Sequence, residues 1–485
     1  MGKQFFLFSF AALLLLSSCG NQTPTESAAT EETTAVTVET AEPNPLDGVE
    51  FSGETVKIFA TDYQDFGCLA NVYAPEQNGE VLNDAVYRKN AAVQELLDVE
   101  FSWTEYPFTW DDRTVMTQTV QSSVMSGDSY DLMMIPTAFS SSMIAEGLYA
   151  NLSDLPYIDF DNPWYSDTFI QNASIGDKVY MAAGDGVLPF LTGLFCYAYN
   201  SELLNQYMLD DPRELVDEGK WTFDKMSELS KAVYEDLNGN GKRDSEDQFG
   251  LDLLGNDRIN PFLDALEATS VLREGDTYIL NYASEHGNDV FNAVFGLIHE
   301  NDSVWTKGDV NDRTTSPFSN GRALFITTLL SDLYHFRDVD FGWGVLPYPK
   351  WDEAQQSYHC GTGTALSTLC VPVTASGSKK SGAVIEAMGI FGYKYTTPAY
   401  CETTLKVKYS DSDASAHMFD ILRENATIEI GSMLSSFIGS PRELFSSTVL
   451  NNKKAGTWAS VTEAKKDKFL AKLNEYTEIV KALEN

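Results

Sequence analysis

The sequence predicts an α/β protein of two lobes, each carried on an open sheet. Three observations predict it. Strand-like and helix-like segments alternate along the chain. The part with globular composition, about 430 residues from Gly53 onward, exceeds what one hydrophobic core serves. No period of 20 to 50 residues repeats, which excludes a solenoid or a propeller.

The elements follow in order. Thr55 to Ala60 reads as a strand, and Asn83 to Asp98 as a helix with Val86, Val93 and Leu97 on one face. The strand Val99 to Trp103 comes next, so strand, helix and strand form a parallel crossover unit. Asp111 to Met125 is a second helix, Asp131 to Ile135 a buried strand stopped by Pro136, and Ser140 to Glu146 a third helix closed by Gly147. Near the end of the chain Phe469, Leu473, Tyr476, Val480 and Leu483 recur at helical spacing and need a lobe to pack on.

Before the first strand the chain carries a different message. Lys3, the apolar run Phe5 to Leu16, and then Ser17, Ser18 and Cys19 have the charged, apolar, small layout of an export signal. That run is too short for a bilayer, which needs about 20 helical residues. Apolar, small, small, Cys resembles a bacterial lipobox, which predicts cleavage after residue 18 and a lipid on Cys19. The protein is then expected on the extracytoplasmic face of the cell membrane. Residues 19–52 read as a tether: positions 20–47 hold seven Thr, five Glu and three Pro, with no aromatic residue, Lys or Arg. Such a composition buries too little apolar surface to fold.

Charge narrows the partners. With 71 acidic and 33 basic residues the net charge is −38, which argues against nucleic acid and anionic membrane surfaces. Beyond Cys19 the cysteines are Cys68, Cys196, Cys360, Cys370 and Cys401, an odd number without paired zinc-site spacing.

Six segments in order carry a family resemblance. Gly147 to Leu155 is similar to a "G-L-x-x-x-L-x-x-L" turn, and Gly176 to Tyr180 followed by Phe195 to Leu204 to a "G-K-x-Y…Y-N-x-x-L-L" crossover. Lys220 to Met226 resembles a "T-W-D-E" helix start, Phe318 to Phe325 an "F-x-x-G-x-A-A-M" segment, and Val345 to Pro349 and Ile385 to Gly392 a later loop and helix. The chain thereby resembles the extracellular solute-binding proteins of carbohydrate uptake, the maltose-binding-protein type, from Val56 to its end. The resemblance implies a two-lobed periplasmic-binding-protein-like fold of type II with the ligand cleft between the lobes. Lobe one would hold 53–185 and 365–410, lobe two 190–360 and 415–485. It also implies a monomer that passes a carbohydrate to the membrane permease of an ABC importer. Two other readings stay open: a surface-anchored carbohydrate-active enzyme, and a binding component that feeds a sensor kinase.

Ligands of open α/β sheets sit beyond the carboxyl ends of strands. That rule selects Asp62 and Tyr63, Thr137, Gly184 and Asp185, and Trp343. The resemblance implies that the segment after Phe318 to Phe325 brings an aromatic into the cleft; here that place holds Ser331 and Asp332, with Tyr334 close by, a departure that points to a different, smaller sugar. Tryptophans beside loop punctuation, Trp110 among them, offer flat faces for the C–H face of a sugar, although core packing is the commoner fate of such a ring.

Asp236 to Asp247 matches the EF-hand loop at positions 1, 3, 5, 6, 9 and 12. It offers Asp236, Asn238, Asn240, the Lys242 carbonyl, Asp244 and Asp247 to a structural Ca²⁺, with Gly241 making the sharp turn. Asp rather than Glu at position 12 is the departure from the pattern. No catalytic motif stands out: the five histidines lack metal-ligand spacing, and GxSxG, Walker A and GxGxxG after a strand are absent. Ser376 to Lys379 fits SxxK, but the SDN and KTG partners are missing and a turn before a helix explains it better.

Overall fold

The computed structural model describes residues 45–64, 72–127, 130–275, 277–307, 316–405, 412–451 and 454–483. The export signal, Cys19, most of the tether and Cys68 lie outside the described residues. Among the described residues nine strands form the two larger sheets: β1 Glu54–Tyr63, β2 Val99–Phe108, β3 Leu132–Pro136, β4 Phe195–Asn200, β5 Phe249–Asp252, β6 Val304–Trp305, β7 Ala323–Leu329, β8 Trp343–Leu346 and β9 Ser367–Cys370.

The first sheet has the order β9-β3-β1-β2, with β1 parallel to both neighbours and β9 antiparallel to β3. Central β1 is buried almost without interruption from Ile58 onward, as a strand covered on both faces requires. The second sheet has the order β8-β4-β7-β5-β6, with β5 parallel to β6 and β7, and β4 antiparallel to β7 and β8.

Local chemistry sets the helices. Helix α1, Val81–Leu97, begins where the Glu80 carboxylate accepts the Asn83 N–H at 2.7 Å, and stops at Asp98 in a left-handed conformation. Its apolar stripe includes Val86, Val93 and Leu97, as the spacing predicts. The last long helix, Trp458–Ala482, buries Phe469, Leu473, Tyr476 and Val480. The helix Lys379–Phe391 continues through a widened turn, Gly392–Thr396, into Thr397–Leu405. Gly392 is required there, because a Cβ would lie 2.0 Å from the Asp185 carbonyl oxygen.

Three segments cross between the sheets and hydrogen-bond to one another. The Gly363 N–H donates to the Gly193 carbonyl, Leu194 bridges Thr362, and Cys360–Gly361 pairs in parallel with Ala426–Thr427. Gly361 is needed for close approach, since its Cβ would meet Asp264 Oδ2 at 2.2 Å.

Two boundaries differ from expectation. Ordered chain begins before residue 53: Leu46 is fully buried, and Phe51 N–H donates to Leu97 O at 2.8 Å. The C-terminal segment expected in the second lobe touches both: Ser435–Ile438 and Trp458–Ala482 pack on Thr137–Ala145 of the first, while Pro441–Asn451 and Trp458–Ala482 pack on Glu285–His299 of the second. Among the described residues Cys196, Cys360, Cys370 and Cys401 are free thiols. No helix among the described residues is long and apolar enough to cross a membrane.

Candidate functional site

A cleft of about 680 Å³ opens between the sheets. The carboxyl ends of five strands lead to it: β1 through Tyr63, β2 through Trp110, β3 through Ala138 and Phe139, β5 through Asp257 and Arg258, and β7 through Ser331. The crossing residues Gly193 and Gly363–Leu366 form its floor, and a C-terminal run from Gly431 to Glu443 supplies a third wall.

The walls differ in chemistry. On the first-sheet side Tyr63 stacks on Phe108 at 4.7 Å and Trp110 lies 6.2 Å from Phe139. Trp110 is 48% exposed, and the Arg113 guanidinium sits 4.2 Å from its ring centre. Opposite stand hydroxyls, amides and two buried guanidinium groups. Arg258, 3% exposed, pairs with Asp257 and with Asp332 at 3.0 Å, and lies over the Phe195 ring. Arg442 donates to Asp264 Oδ2 at 2.6 Å and to Ser432 Oγ at 3.1 Å.

Those anchors are themselves held. Glu429 accepts the Ser270 N–H and hydroxyl and the Ser432 hydroxyl, so Ser270, Glu429, Ser432, Arg442 and Asp264 form one buried network. Burial raises the Asp264 carboxyl above the usual carboxylate range, Arg442 pulling it down and Glu429 adding to the rise. Within the lining residues three buried atoms have no hydrogen-bond partner in the protein: Asn260 Oδ1, Arg258 Nε and Arg442 Nε. Those atoms are withdrawn from the cleft surface, and the polar groups open to a guest are others of the lining, among them Gln118, Gln121, Ser331, Ser435 and Ser436, which both donate and accept.

Of the residues selected from sequence, Tyr63 and Ser331 line the cleft, and Asp332 holds Arg258 in it. The others are not among the lining residues. Asp62 precedes Tyr63 on the same strand, so its side chain leaves from the opposite face. Thr137 is buried beneath Ala138, its hydroxyl donating to Leu366 O. Gly184 and Asp185 belong to the first crossing, where Asp185 accepts the Thr397 hydroxyl at 2.5 Å. Burial raises the Asp185 carboxyl, against the Thr397 hydrogen bond and Arg423. Trp343 is buried, with its indole N–H donating to Phe336 O. Because β8 runs antiparallel to β4, Trp343 pairs with Asn200, at the far end of β4 from the cleft residue Phe195.

Sequence reasoning missed Arg113, Arg258, Asn260 and the stretch Ser432 to Glu443. Trp110 had a signal, an aromatic beside loop punctuation. The C-terminal wall had none, since residues more than 290 positions from Ser141 meet it only in the fold, as where the Ser436 and Ser141 hydroxyls hydrogen-bond at 2.7 Å.

The calcium-type loop folds around its own carboxylates. Asp236 accepts the N–H groups of Gly239 and Gly241, each at 2.8 Å, and Asp244 accepts the side-chain amides of Asn238 and Asn240. Among the described residues no group of three or more His, Cys, Asp or Glu side chains converges to hold a metal. The loop's donor set depends on two amides and a backbone carbonyl as well.

Two sheets joined by three hydrogen-bonded crossings, with a cleft at the strand ends, define a two-lobed binding protein. The chain belongs to the bacterial extracellular solute-binding proteins, whose family model matches residues 94–388, more than half of it. Solved structures share the fold. The galacto-N-biose/lacto-N-biose I-binding protein of an ABC transporter from Bifidobacterium longum, in complex with lacto-N-biose, is 15% identical with a TM-score of 0.56, over 88% of this chain and 98% of that one. The ABC substrate-binding protein Lmo0181 from Listeria monocytogenes, in complex with cycloalternan, is 12% identical with a TM-score of 0.54, over 87% and 99%. UgpB from Mycobacterium tuberculosis, in complex with glycerophosphocholine, is 16% identical with a TM-score of 0.52, over 82% and 95%. No curated protein sequence matches the chain.

Proposed function

We propose that this protein captures a carbohydrate in the cleft and delivers it to the membrane permease of an ABC importer. One observation carries the reading. The half-exposed Trp110 ring lines the cleft together with the side-chain amides of Gln118 and Gln121 and the hydroxyls of Ser331, Ser435 and Ser436. A sugar offers what both sides need, a flat C–H face for the ring and hydroxyls that donate and accept. Arg258 and Arg442 are each neutralised by carboxylates, which suits a guest recognised by hydroxyl groups rather than by net charge. The saccharide complexes of the Bifidobacterium and Listeria neighbours support the class, while the glycerophosphocholine complex marks the alternative that the same fold accommodates.

Titration calorimetry with neutral mono- and oligosaccharides, and with glycerophosphocholine, tests the reading. Binding of a saccharide without product formation supports capture. Turnover of the saccharide supports the enzyme reading, and binding of glycerophosphocholine alone overturns the carbohydrate assignment. Pull-down with membrane proteins separates a permease from a sensor kinase as partner.

Export and anchoring complete the proposal. The Ser17-Ser18-Cys19 site would leave the mature chain lipidated at Cys19, acting as a monomer on the extracytoplasmic face. Labelling with a fatty-acid analogue should mark the wild-type protein and not Cys19→Ser.

A further inference from the structure

The Asp236–Asp247 loop stands apart from the cleft, and its chemistry is unresolved by anything the cleft does. Glu235 pairs with Gln248 on either side of it, so the loop is the turn that delivers the chain into β5. Gly239 at φ +67° and Gly241 at φ +68° give it two left-handed turns that a side chain would strain. Those turns direct the backbone N–H groups of Gly239 and Gly241 onto Asp236 and bring Asp244 within reach of both asparagine amides.

The decisive group is Asp247. It has no exposed surface. One carboxylate oxygen, Oδ2, accepts the Asp244 N–H at 3.0 Å, which turns the group toward the loop. The other, Oδ1, is buried and has no hydrogen-bond partner. An anionic oxygen withdrawn from water and left unmatched is unfavourable, and a cation in the loop removes the penalty. The loop has the charge for one: Asp236, Asp244, Glu246 and Asp247 against Lys242 and Arg243. Arg243 pairs with Asp302, outside the loop, at 3.8 Å.

We infer that this loop is a Ca²⁺ site. The donors are all oxygens: the side chains of Asp236, Asn238 and Asn240, the Lys242 carbonyl, Asp244 directly or through water, and Asp247. Six to eight oxygens on a flexible loop suit Ca²⁺, whereas Mg²⁺ demands a near-ideal octahedron and gives up its water reluctantly. The side-chain N–H groups of Asn238 and Asn240 lie beside Asp244, and a cation in the loop would draw their carbonyl oxygens inward instead. The ion's role is structural. It fastens the amino end of β5, whose other end leads through Leu253 and Leu254 to the cleft residues Asp257, Arg258 and Asn260. The inference is independent of which solute the cleft takes.

The test uses the mature protein after chelator treatment, with CaCl₂ and no cleft ligand. Calorimetry should show one Ca²⁺ per chain, with a dissociation constant on the order of 10⁻⁴ to 10⁻³ M as in extracellular modules, and the melting temperature should rise with added Ca²⁺. Tb³⁺ in place of Ca²⁺ should luminesce on excitation of tyrosine, Tyr234 lying beside the loop. Asp236→Asn and Asp247→Asn should each weaken binding tenfold or more and abolish the thermal shift. If Asp247→Asn does not fold, the half-buried Asp236 decides alone. No heat and no thermal shift at about 10 mM Ca²⁺, well above that range, overturns the inference. So does a response that persists in Asp236→Asn, or an equal response to Mg²⁺.

Discussion

Lys89, with none of its surface exposed, donates its ammonium to the Gly186 carbonyl oxygen 3.1 Å away, tying helix α1 to the first crossing between the sheets. Burial pushes the ammonium down to about 8. In the unfolded chain the same amine holds its proton up to its ordinary value of about 10.4. Between those limits the unfolded chain binds more protons, so folding stability rises with pH across that window; below pH 8 the full penalty, about 3 kcal/mol, persists. Urea unfolding at pH 7.5 and 9.5 should show wild-type protein gaining on Lys89→Met as pH rises. A constant difference between the two would mean that Lys89 is not the titrating group.

Asp264 and Arg442 form a buried pair in which the partners are not equivalent. Asp264→Ala leaves a guanidinium that cannot give up its proton, and should cost about 3–5 kcal/mol by denaturant unfolding at pH 7. Arg442→Ala leaves a carboxyl that burial already favours in its neutral form, so it should cost less near pH 5. That lone carboxyl has a folded value above its unfolded one. Its favourable term is complete below the unfolded value and is lost as pH rises through the folded one, so the cost of Arg442→Ala should grow toward pH 8. Equal, pH-independent costs for the two variants would contradict this account.

The sheets were legible because their signals are local. Leu132 to Ile135 is an uninterrupted apolar run, and Val86, Val93 and Leu97 keep helical spacing, so each declares its element within a few residues. The helix around Phe469 and Tyr476 was legible for the same reason. Strand-end logic found Tyr63 because β1 has one carboxyl end and its register is set by two parallel neighbours. It failed at Trp343, since nothing local says that β8 runs antiparallel and puts that residue at the wrong end. It failed at Asp62 through a one-residue question of face. Arg258 and Arg442 were invisible because their meaning comes from Asp332 and Asp264, carboxylates 74 and 178 positions away.

Gly184 was selected as a ligand contact, and its geometry assigns it a mechanical task instead. It holds φ at +154°, and an added Cβ would come 2.1 Å from the Trp164 carbonyl oxygen, which is backbone and cannot swing aside. The same carbonyl accepts the Asp185 N–H at 2.8 Å. Gly184→Ala should therefore destabilise the protein by roughly 3 kcal/mol or more, from backbone strain and overpacking together. Thermal unfolding checks the loss. Wild-type stability with a selective loss of saccharide affinity would return the residue to the cleft.

Trp110 and Trp221 separate recognition from packing. Trp110 is 48% exposed in the cleft, whereas Trp221 is fully buried, with its indole N–H donating to Pro347 O at 2.9 Å. Trp221→Ala should cost about 3–5 kcal/mol of folding stability whether or not a sugar is present. Trp110→Ala removes little packing and should leave the melting temperature near wild type. Its loss should appear in calorimetry, as a drop of about tenfold or more in affinity for the best-bound saccharide, equivalent to ~1.4 kcal/mol or more. Arg113 sharpens the test, because its guanidinium already lies against the Trp110 ring and a sugar stacking on that face must displace it. Arg113→Ala should then bind the same saccharide at least as tightly as wild type by calorimetry, and weaker binding would show that Arg113 itself contacts the sugar. Unchanged affinity in Trp110→Ala would move the stacking surface to Tyr63 or Phe139, the other aromatic residues on that wall.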